Sequence, residues 1–273
     1  METQITDLPK LDDYIELSGS DVEEFREKGH VLIKKVLSED EMHIFRPVIL
    51  DAAEKFNTEK RKLQDRDTYG KAFLQIMNLW QGDEGAKKFV LAKRLAKIAA
   101  DLMGVENVRI YHDQALFKEP GGGPTPWHQD QYYWPIDTNN TITMWMPLVD
   151  IDEEMGMLTF ASGSFVEGDA FNLEISDESE SAFDSYVKEK GYPISRAKTM
   201  KAGDATWHRG FTMHHANGNN SDKMREVMTI IYVADGARIT PYKNDWQKND
   251  HEKWLMGKPI GGFIDSELNP LLL

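Results

Sequence analysis

The hydrophobic period of this chain changes near residue 105, and that change limits what it can fold into. Before it, apolar residues recur at intervals of three and four. Met42, Phe45, Val48, Ile49, Ala52 and Phe56 follow Ser38-Glu39-Asp40-Glu41, which has the form of a helix capping box. The same spacing returns in Phe89, Val90, Leu95, Ile98, Ala99 and Leu102 and is closed by Gly104, so a second long helix is expected over 84–103. An earlier helix is expected behind Ser20, stopped by Gly29 ahead of a strand over 30–36. Residues 73–80 suit strand or loop equally, and residues 1–20 read as a loosely ordered lead-in.

After residue 105 come short runs rich in β-branched and aromatic residues: 108–111, 114–117, 141–149, 157–160 and 227–233, separated by Gly, Pro and Asn-Asn. This texture predicts a β-barrel or sandwich built on a helical scaffold. At 273 residues one core is enough, so a single domain is expected: 1–104 mainly helical, 105–240 the β core, 241–273 a C-terminal extension. The acidic stretch 174–181 is expected to start a surface helix or lid.

Composition narrows the chemistry. There is no cysteine, which removes disulfides, thiolate nucleophiles and sulfur-held metals together, so any metal must be held by His, Asp or Glu. A net charge of -14 argues against nucleic acid or an anionic membrane as partner, and no apolar run is long enough to span a bilayer. The opening Met1–Asp7 lacks the basic and apolar sections of a signal peptide, so a cytoplasmic protein with a small-molecule partner is expected, as a monomer or homodimer.

His128 and Asp130 are the residues on which chemistry can be built. Two apart on extended chain, they leave the same face and can converge on one ion. A distant histidine would complete two imidazoles and one carboxylate on one side of a metal, a set that leaves coordination positions open and suits non-haem Fe(II). His208, His214 and His215 are the candidates, and spacing alone prefers none of them. His30, His43 and His251 lie in surface-like or helical contexts, and His112 is on an early strand. Gly121-Gly122-Gly123 ahead of the pair lets backbone pass close to a ligand, and Tyr132, Tyr133 and Trp134 put aromatic faces beside it.

From about Val31 onward the chain resembles the phytanoyl-CoA dioxygenase (PhyH) family of Fe(II)- and 2-oxoglutarate-dependent oxygenases. The resemblance rests on H-x-D at His128 and Asp130, Trp145, Gly156 before a strand ending in Ser162-Gly163-Ser164, Gly203-Asp204, and a distal histidine followed by Asn at five, Ser at seven and Arg at eleven. Only His214 satisfies that spacing, through Asn219, Ser221 and Arg225. It implies a double-stranded β-helix, a cupin-like jelly roll that is mainly β with flanking helices. It also implies Fe(II) held by His128, Asp130 and His214, with 2-oxoglutarate as cosubstrate and O2 as oxidant. Arg225 would grip the far carboxylate of 2-oxoglutarate, a task that suits its planar fork. Gln114 and Trp145 stand at positions similar to cosubstrate contacts in relatives. Two positions depart from the family pattern. Ala216 replaces a frequent Ser two after the distal histidine, and Phe165 stands where a His is usual after Gly163-Ser164. Asp130 argues against halogenation, for which related enzymes vacate the carboxylate position.

Hydroxylation of an unactivated C–H bond with release of succinate and CO2 is the expected reaction; desaturation, cyclisation or endoperoxidation are variants of it. Tyr133, Trp134 and Met213, together with Tyr132, Met144 and Met146, suggest a lipophilic, secondary-metabolite-like substrate. The alternative is a barrel that binds a small molecule without turnover, or holds another metal.

Overall fold

The computed structural model describes residues 8–170 and 173–273. The expectations for Met1–Asp7 fall outside them. From Leu8 the lead-in is packed, because Leu8 and Leu11 join the main core and Arg94 bonds to Asp13 and Glu41. Loose order is therefore corrected for that part: two buried leucines and an ion pair hold a chain that has no periodic pattern of its own.

Helix α1 (Gly19–Lys28) is capped by Ser18, two residues before the expected Ser20, because Asp21 closes the box at the third position from Ser18. Gly29 ends it in the left-handed region (φ 77°), and strand β1 (His30–Ile33) follows. Ser38 caps α2 (Glu39–Phe56) with Glu41 completing the box. A short α3 (Thr68–Ala72) leads to β2 (Leu74–Met77), so the ambiguous stretch 73–80 is strand in its first half and a 3-10 turn at Leu79 and Trp80. The long helix expected over 84–103 is two, α4 (Glu84–Val90) and α5 (Lys93–Met103), parted at Leu91 and Ala92. Both send their apolar residues into the one core, which is why periodicity does not reveal the break.

The β region contains β3 (Val108–Phe117), β4 (Thr125–His128), β5 (Thr141–Pro147), β6 (Ile151–Asp152) and β7 (Leu158–Ala161). Helix α6 (Asp177–Lys190) occupies the acidic insert. Strands β8 (Ile194–Arg196), β9 (Thr199–Met200), β10 (Ala205–Arg209), β11 (His214–Ala216) and β12 (Val227–Ala234) follow, and α7 (Asp245–Lys253) ends the regular structure. All pairings are antiparallel. A six-stranded sheet runs β1-β10-β5-β12-β3-β2, a four-stranded sheet runs β4-β11-β7-β8, and β6 pairs with β9. This is the jelly roll with flanking helices expected from the family resemblance.

Alternation along each strand decides what meets the helices and what meets the interior. Ile142, Met144 and Met146 of β5, with Met228, Ile230 and Tyr232 of β12, pack on Phe25, Phe45, Phe89 and Leu95 from the helices. Their neighbours Thr143, Trp145, Thr229 and Ile231 face the other way and line a cavity of about 170 Å³. Met144 and Met146 are thus core residues of the helix layer, a correction to their reading as pocket residues. Among the described residues, no helix is long and apolar enough to cross a membrane.

Candidate active site

Strands β4 and β11 pair with His128 opposite His214, so one rung of the smaller sheet brings both imidazoles together, with ring centroids 4.1 Å apart. Asp130 lies in the turn just after β4. Its Oδ1 is 3.5 Å from Nε2 of His128 and 3.6 Å from Nε2 of His214, and the three ligand atoms lie within 4.8 Å of one another. An ion bonded at about 2 Å to each donor needs donors roughly 3–4 Å apart, which the two carboxylate–imidazole distances meet. The tautomers also suit it. Nδ1 of His128 donates to the Pro126 carbonyl at 2.8 Å and Nδ1 of His214 to that of Thr212 at 2.9 Å. A carbonyl can only accept, so both Nε2 atoms keep a lone pair for a metal. His215, on the opposite face, lies tilted against Trp127 with ring centroids 4.2 Å apart, and burial lowers its pKa to about 4.

Sequence reasoning assigned no definite role to the support beneath Asp130. Its Oδ2 accepts from Thr143 Oγ1 at 2.8 Å and is 3.1 Å from His208 Nε2; Thr143 and His208 are themselves partners across β5 and β10. Burial would push the Asp130 carboxyl up, but His214, His128 and His208 hold it well below the usual carboxylate range. Burial, reinforced by His128 and His208, lowers His214 well below its ordinary value. The site therefore presents a carboxylate at Asp130 and a neutral imidazole at His214. A Thr at 143, flanked by Ile142 and Met144 in a strand buried throughout, was the available signal for this support.

Arg225 is fully buried beneath the cavity. It is pinned by a backbone bridge in which Lys118 and Arg225 exchange N–H···O bonds of 2.9 Å. The Asn and Ser of the family spacing build that approach: Asn219 Nδ2 donates to the carbonyls of Lys118 and Lys223, and Ser221 Oγ donates to Asn219 Oδ1 at 2.7 Å. One guanidinium nitrogen, Nη1, donates to the Gly156 carbonyl, and the group lies 5.3 Å over the Trp145 ring. Its Nε is buried with no partner among the described residues. Burial alone lowers its pKa to about 9, still cationic at neutral pH. A buried cation with an unanswered donor fits a carboxylate, as the far end of 2-oxoglutarate would supply.

Gln114 and Trp145 line the same cavity; Gln114 Oε1 accepts from Gln75 Nε2 at 3.3 Å. Tyr133 and Trp134 line it too, joined by Tyr69, Phe73, Trp246 and Trp254, which periodicity did not single out. Met213 is corrected. It points away from His214's face and is fully buried with Trp127, Phe183 and Val187. Tyr132 is outside the lining as well, contributing its carbonyl to Gln247 at 2.9 Å. His30 is not a surface residue: it is buried, Nε2 lies 2.8 Å from Ser162 Oγ, and burial with His208 nearby lowers its pKa to about 3. Phe165 covers the Arg209 guanidinium at 5.2 Å, which gives that departure a packing role.

Known proteins place this architecture. The chain is 26% identical over 152 residues to a probable alpha-ketoglutarate-dependent hypophosphite dioxygenase of Stutzerimonas stutzeri, covering 54% of this chain and 52% of that protein. It is 25% identical over 182 residues to a 2-aminoethylphosphonate dioxygenase of an uncultured bacterium, covering 66% of each. The chain thus matches between about half and two thirds of the length of these curated relatives. Among solved structures it resembles the non-heme alpha ketoglutarate dependent carbocyclase SnoK from nogalamycin biosynthesis, with a TM-score of 0.77, 27% identity, and coverage of 94% of this chain and 96% of that one. Residues 25–227 match the phytanoyl-CoA dioxygenase (PhyH) model, and the chain belongs to that family.

Proposed function

We propose that this chain is an Fe(II)- and 2-oxoglutarate-dependent dioxygenase that hydroxylates a C–H bond of a small lipophilic molecule. The observation carrying this reading is the two-histidine, one-carboxylate cluster facing the same cavity as the buried Arg225, whose Nε has no partner among the described residues. Iron and 2-oxoglutarate are the pair that the family, the named relatives and the donor set agree on. When bound, they supply with O2 an oxidation in which 2-oxoglutarate becomes succinate and CO2 and one oxygen atom goes to the substrate.

The chain's own residues do the positioning. His128, Asp130 and His214 would hold the metal from one side, leaving the cavity side open. His208 and Thr143 keep Oδ2 of Asp130 engaged, so that Oδ1 turns to the histidines. Arg225 would fix the far carboxylate of 2-oxoglutarate, with Trp145 against it and Gln114 along the cavity wall. Tyr69, Phe73, Tyr133, Trp134 and Trp254 keep water from the space where substrate is held.

The two curated relatives are named for phosphorus oxoacid substrates. Here Arg225 is the only Lys or Arg among the described residues lining the cavity, and 2-oxoglutarate would occupy it. The aromatic remainder supports an uncharged, largely apolar substrate instead. The carbocyclase among the structural neighbours supports ring closure as a second outcome for substrate held in this cavity.

The test is succinate formation by purified chain with Fe(II), ascorbate and 2-oxoglutarate. A slow basal rate that disappears in Asp130→Ala and rises with a substrate from a lipophilic library is expected. Absence of succinate from the iron-loaded wild type, with and without the library, would overturn the reading.

A further inference from the structure

The cavity contains a second polar centre, distant from Arg225 along the strand that connects them. Strand β3 presents His112, Gln114 and Leu116 to the cavity on alternate positions, and Lys118 beyond it bridges to Arg225. His112 is six residues before Lys118, roughly 20 Å along an extended strand. None of the contacts of the Arg225 guanidinium or of the His128, Asp130 and His214 ligand atoms among the described residues is to His112, so His112 belongs to the part of the cavity left for substrate.

His112 is held by α7. Its Nε2 is 2.8 Å from Oδ1 of Asp250, while the Tyr111 hydroxyl donates to Oδ2 at 2.5 Å. Burial pushes the Tyr111 pKa well up, so it remains a donor. With Asp250 accepting on both oxygens, Nε2 of His112 carries a proton, and in the neutral imidazole Nδ1 is then an acceptor. That Nδ1 is buried and without a hydrogen-bond partner among the described residues, in a side chain only 1% exposed. An acceptor left this way destabilises the fold unless something completes it. The walls around it are aromatic: Trp254 meets the His112 ring edge-on at 5.6 Å, and Trp134 lies 5.5 Å from Tyr111.

We propose that His112, oriented by Asp250, is the specificity-determining residue of the cavity, and that its Nδ1 accepts a hydrogen bond from a hydroxyl on a cyclic, largely aromatic substrate. This rests on reading the cavity as the substrate site of an oxygenase. It narrows that substrate to one whose flat apolar skeleton suits the Trp and Tyr walls and which carries a single well-placed donor. Loss of such a donor from a ligand strands the buried acceptor, which is why sites of this kind discriminate strongly between hydroxylated and bare analogues.

The test uses 2-naphthol and naphthalene, which differ only in the hydroxyl, as probes of the zinc- and 2-oxoglutarate-loaded full chain labelled with 15N-histidine. The His112 Nδ1 resonance is identified by its loss in His112→Leu. Wild type is expected to bind 2-naphthol about tenfold more tightly than naphthalene, with a shift of that resonance. The preference is expected to fall to about twofold in His112→Leu and in Asp250→Asn. Should His112→Leu fail to fold, Asp250→Asn and the wild-type resonance decide. The proposal is overturned by a preference that survives in both variants, by binding that leaves the Nδ1 resonance unmoved, or by failure of either probe to bind. Because no turnover is needed, a chain that shows the preference yet forms no succinate would refute the oxygenase reading and leave this one standing.

Discussion

Thr125 and Ala216 are directly opposed across the β4–β11 ladder, and both line the cavity. Position 216 lacks the hydroxyl frequent in the family; Thr125, its cross-strand partner, has one. Thr125 Oγ1 is 3.3 Å from Lys118 Nζ and accepts from it, which leaves its own proton free for an anion beside Arg225. Burial, and then repulsion from Arg225, lowers Lys118 to about 6, so at neutral pH the lysine mainly donates hydrogen bonds here and adds little charge.

Removing that hydroxyl is expected to weaken cosubstrate binding. Thr125→Val should raise the KM for 2-oxoglutarate about tenfold, the effect of one charge-assisted hydrogen bond, with kcat little changed. Adding Ala216→Ser to it should recover most of the loss. Titration of succinate formation against 2-oxoglutarate reads both. An unchanged KM in Thr125→Val would show that the hydroxyl only braces Lys118.

His208 should behave differently from His128 and His214, the two residues that converge on Asp130 Oδ1. It reaches only Oδ2, so His208→Phe is expected to retain metal with affinity reduced about 10- to 100-fold. His128→Ala and His214→Ala should lose stoichiometric metal altogether. Metal analysis after gel filtration separates the outcomes. A His208→Phe protein as empty as His214→Ala would make His208 a ligand in its own right.

Much of this arrangement was legible in local sequence, because local pattern is where its causes lie. Ser38 and Glu41 cap α2, Gly29 ends α1, and the two-residue spacing of His128 and Asp130 survives folding intact. What stayed hidden depends on partners distant in the chain. His208 acquires its place from Thr143 across β5 and β10, and His112 from Asp250, 138 residues later. Met144 and Met146 misled for a related reason: a strand buried on both faces carries apolar residues toward the core and the cavity alike, so hydrophobicity does not say which face is which; Met213, just before β11, is buried in a separate apolar cluster. The break between α4 and α5 left no trace because both helices send their apolar residues into the same core cluster.

Gly156 is a point at which backbone and site are coupled. It has φ of +81°, a Cβ there would meet the Asn217 carbonyl oxygen at 2.4 Å, and its own carbonyl accepts from Arg225. Gly156→Ala is therefore expected to cost about 3 kcal/mol through left-handed strain and a backbone clash. In a chain of this size that corresponds to a fall in Tm of about 6–12 °C. The folded remainder should bind 2-oxoglutarate more weakly than wild type at a temperature where both are native. Wild-type stability and affinity in the variant would show that the loop yields at no cost to Arg225.

Asp113 should make stability depend on pH away from the metal. It is fully buried beside His112 and caps the turn after β2, accepting from the Leu79 N–H at 3.0 Å and the Trp80 N–H at 3.4 Å. Burial raises its pKa to about 7 despite those two bonds. A carboxyl with a higher pKa folded than unfolded binds its proton more tightly in the native state. Its contribution therefore favours the fold most below the unfolded value near 4 and declines as pH rises through about 7. Between those limits the loss is about 1.4 kcal/mol per pH unit for this group alone. Asp113→Asn retains an acceptor for the Leu79 N–H and removes the titration. Urea unfolding at pH 5 and pH 7 is expected to show wild type losing about 2–3 kcal/mol more than the variant over that interval. Parallel pH profiles for the two proteins would mean that Asp113 is already ionised in the fold at pH 5, with the two N–H groups of the turn outweighing its burial.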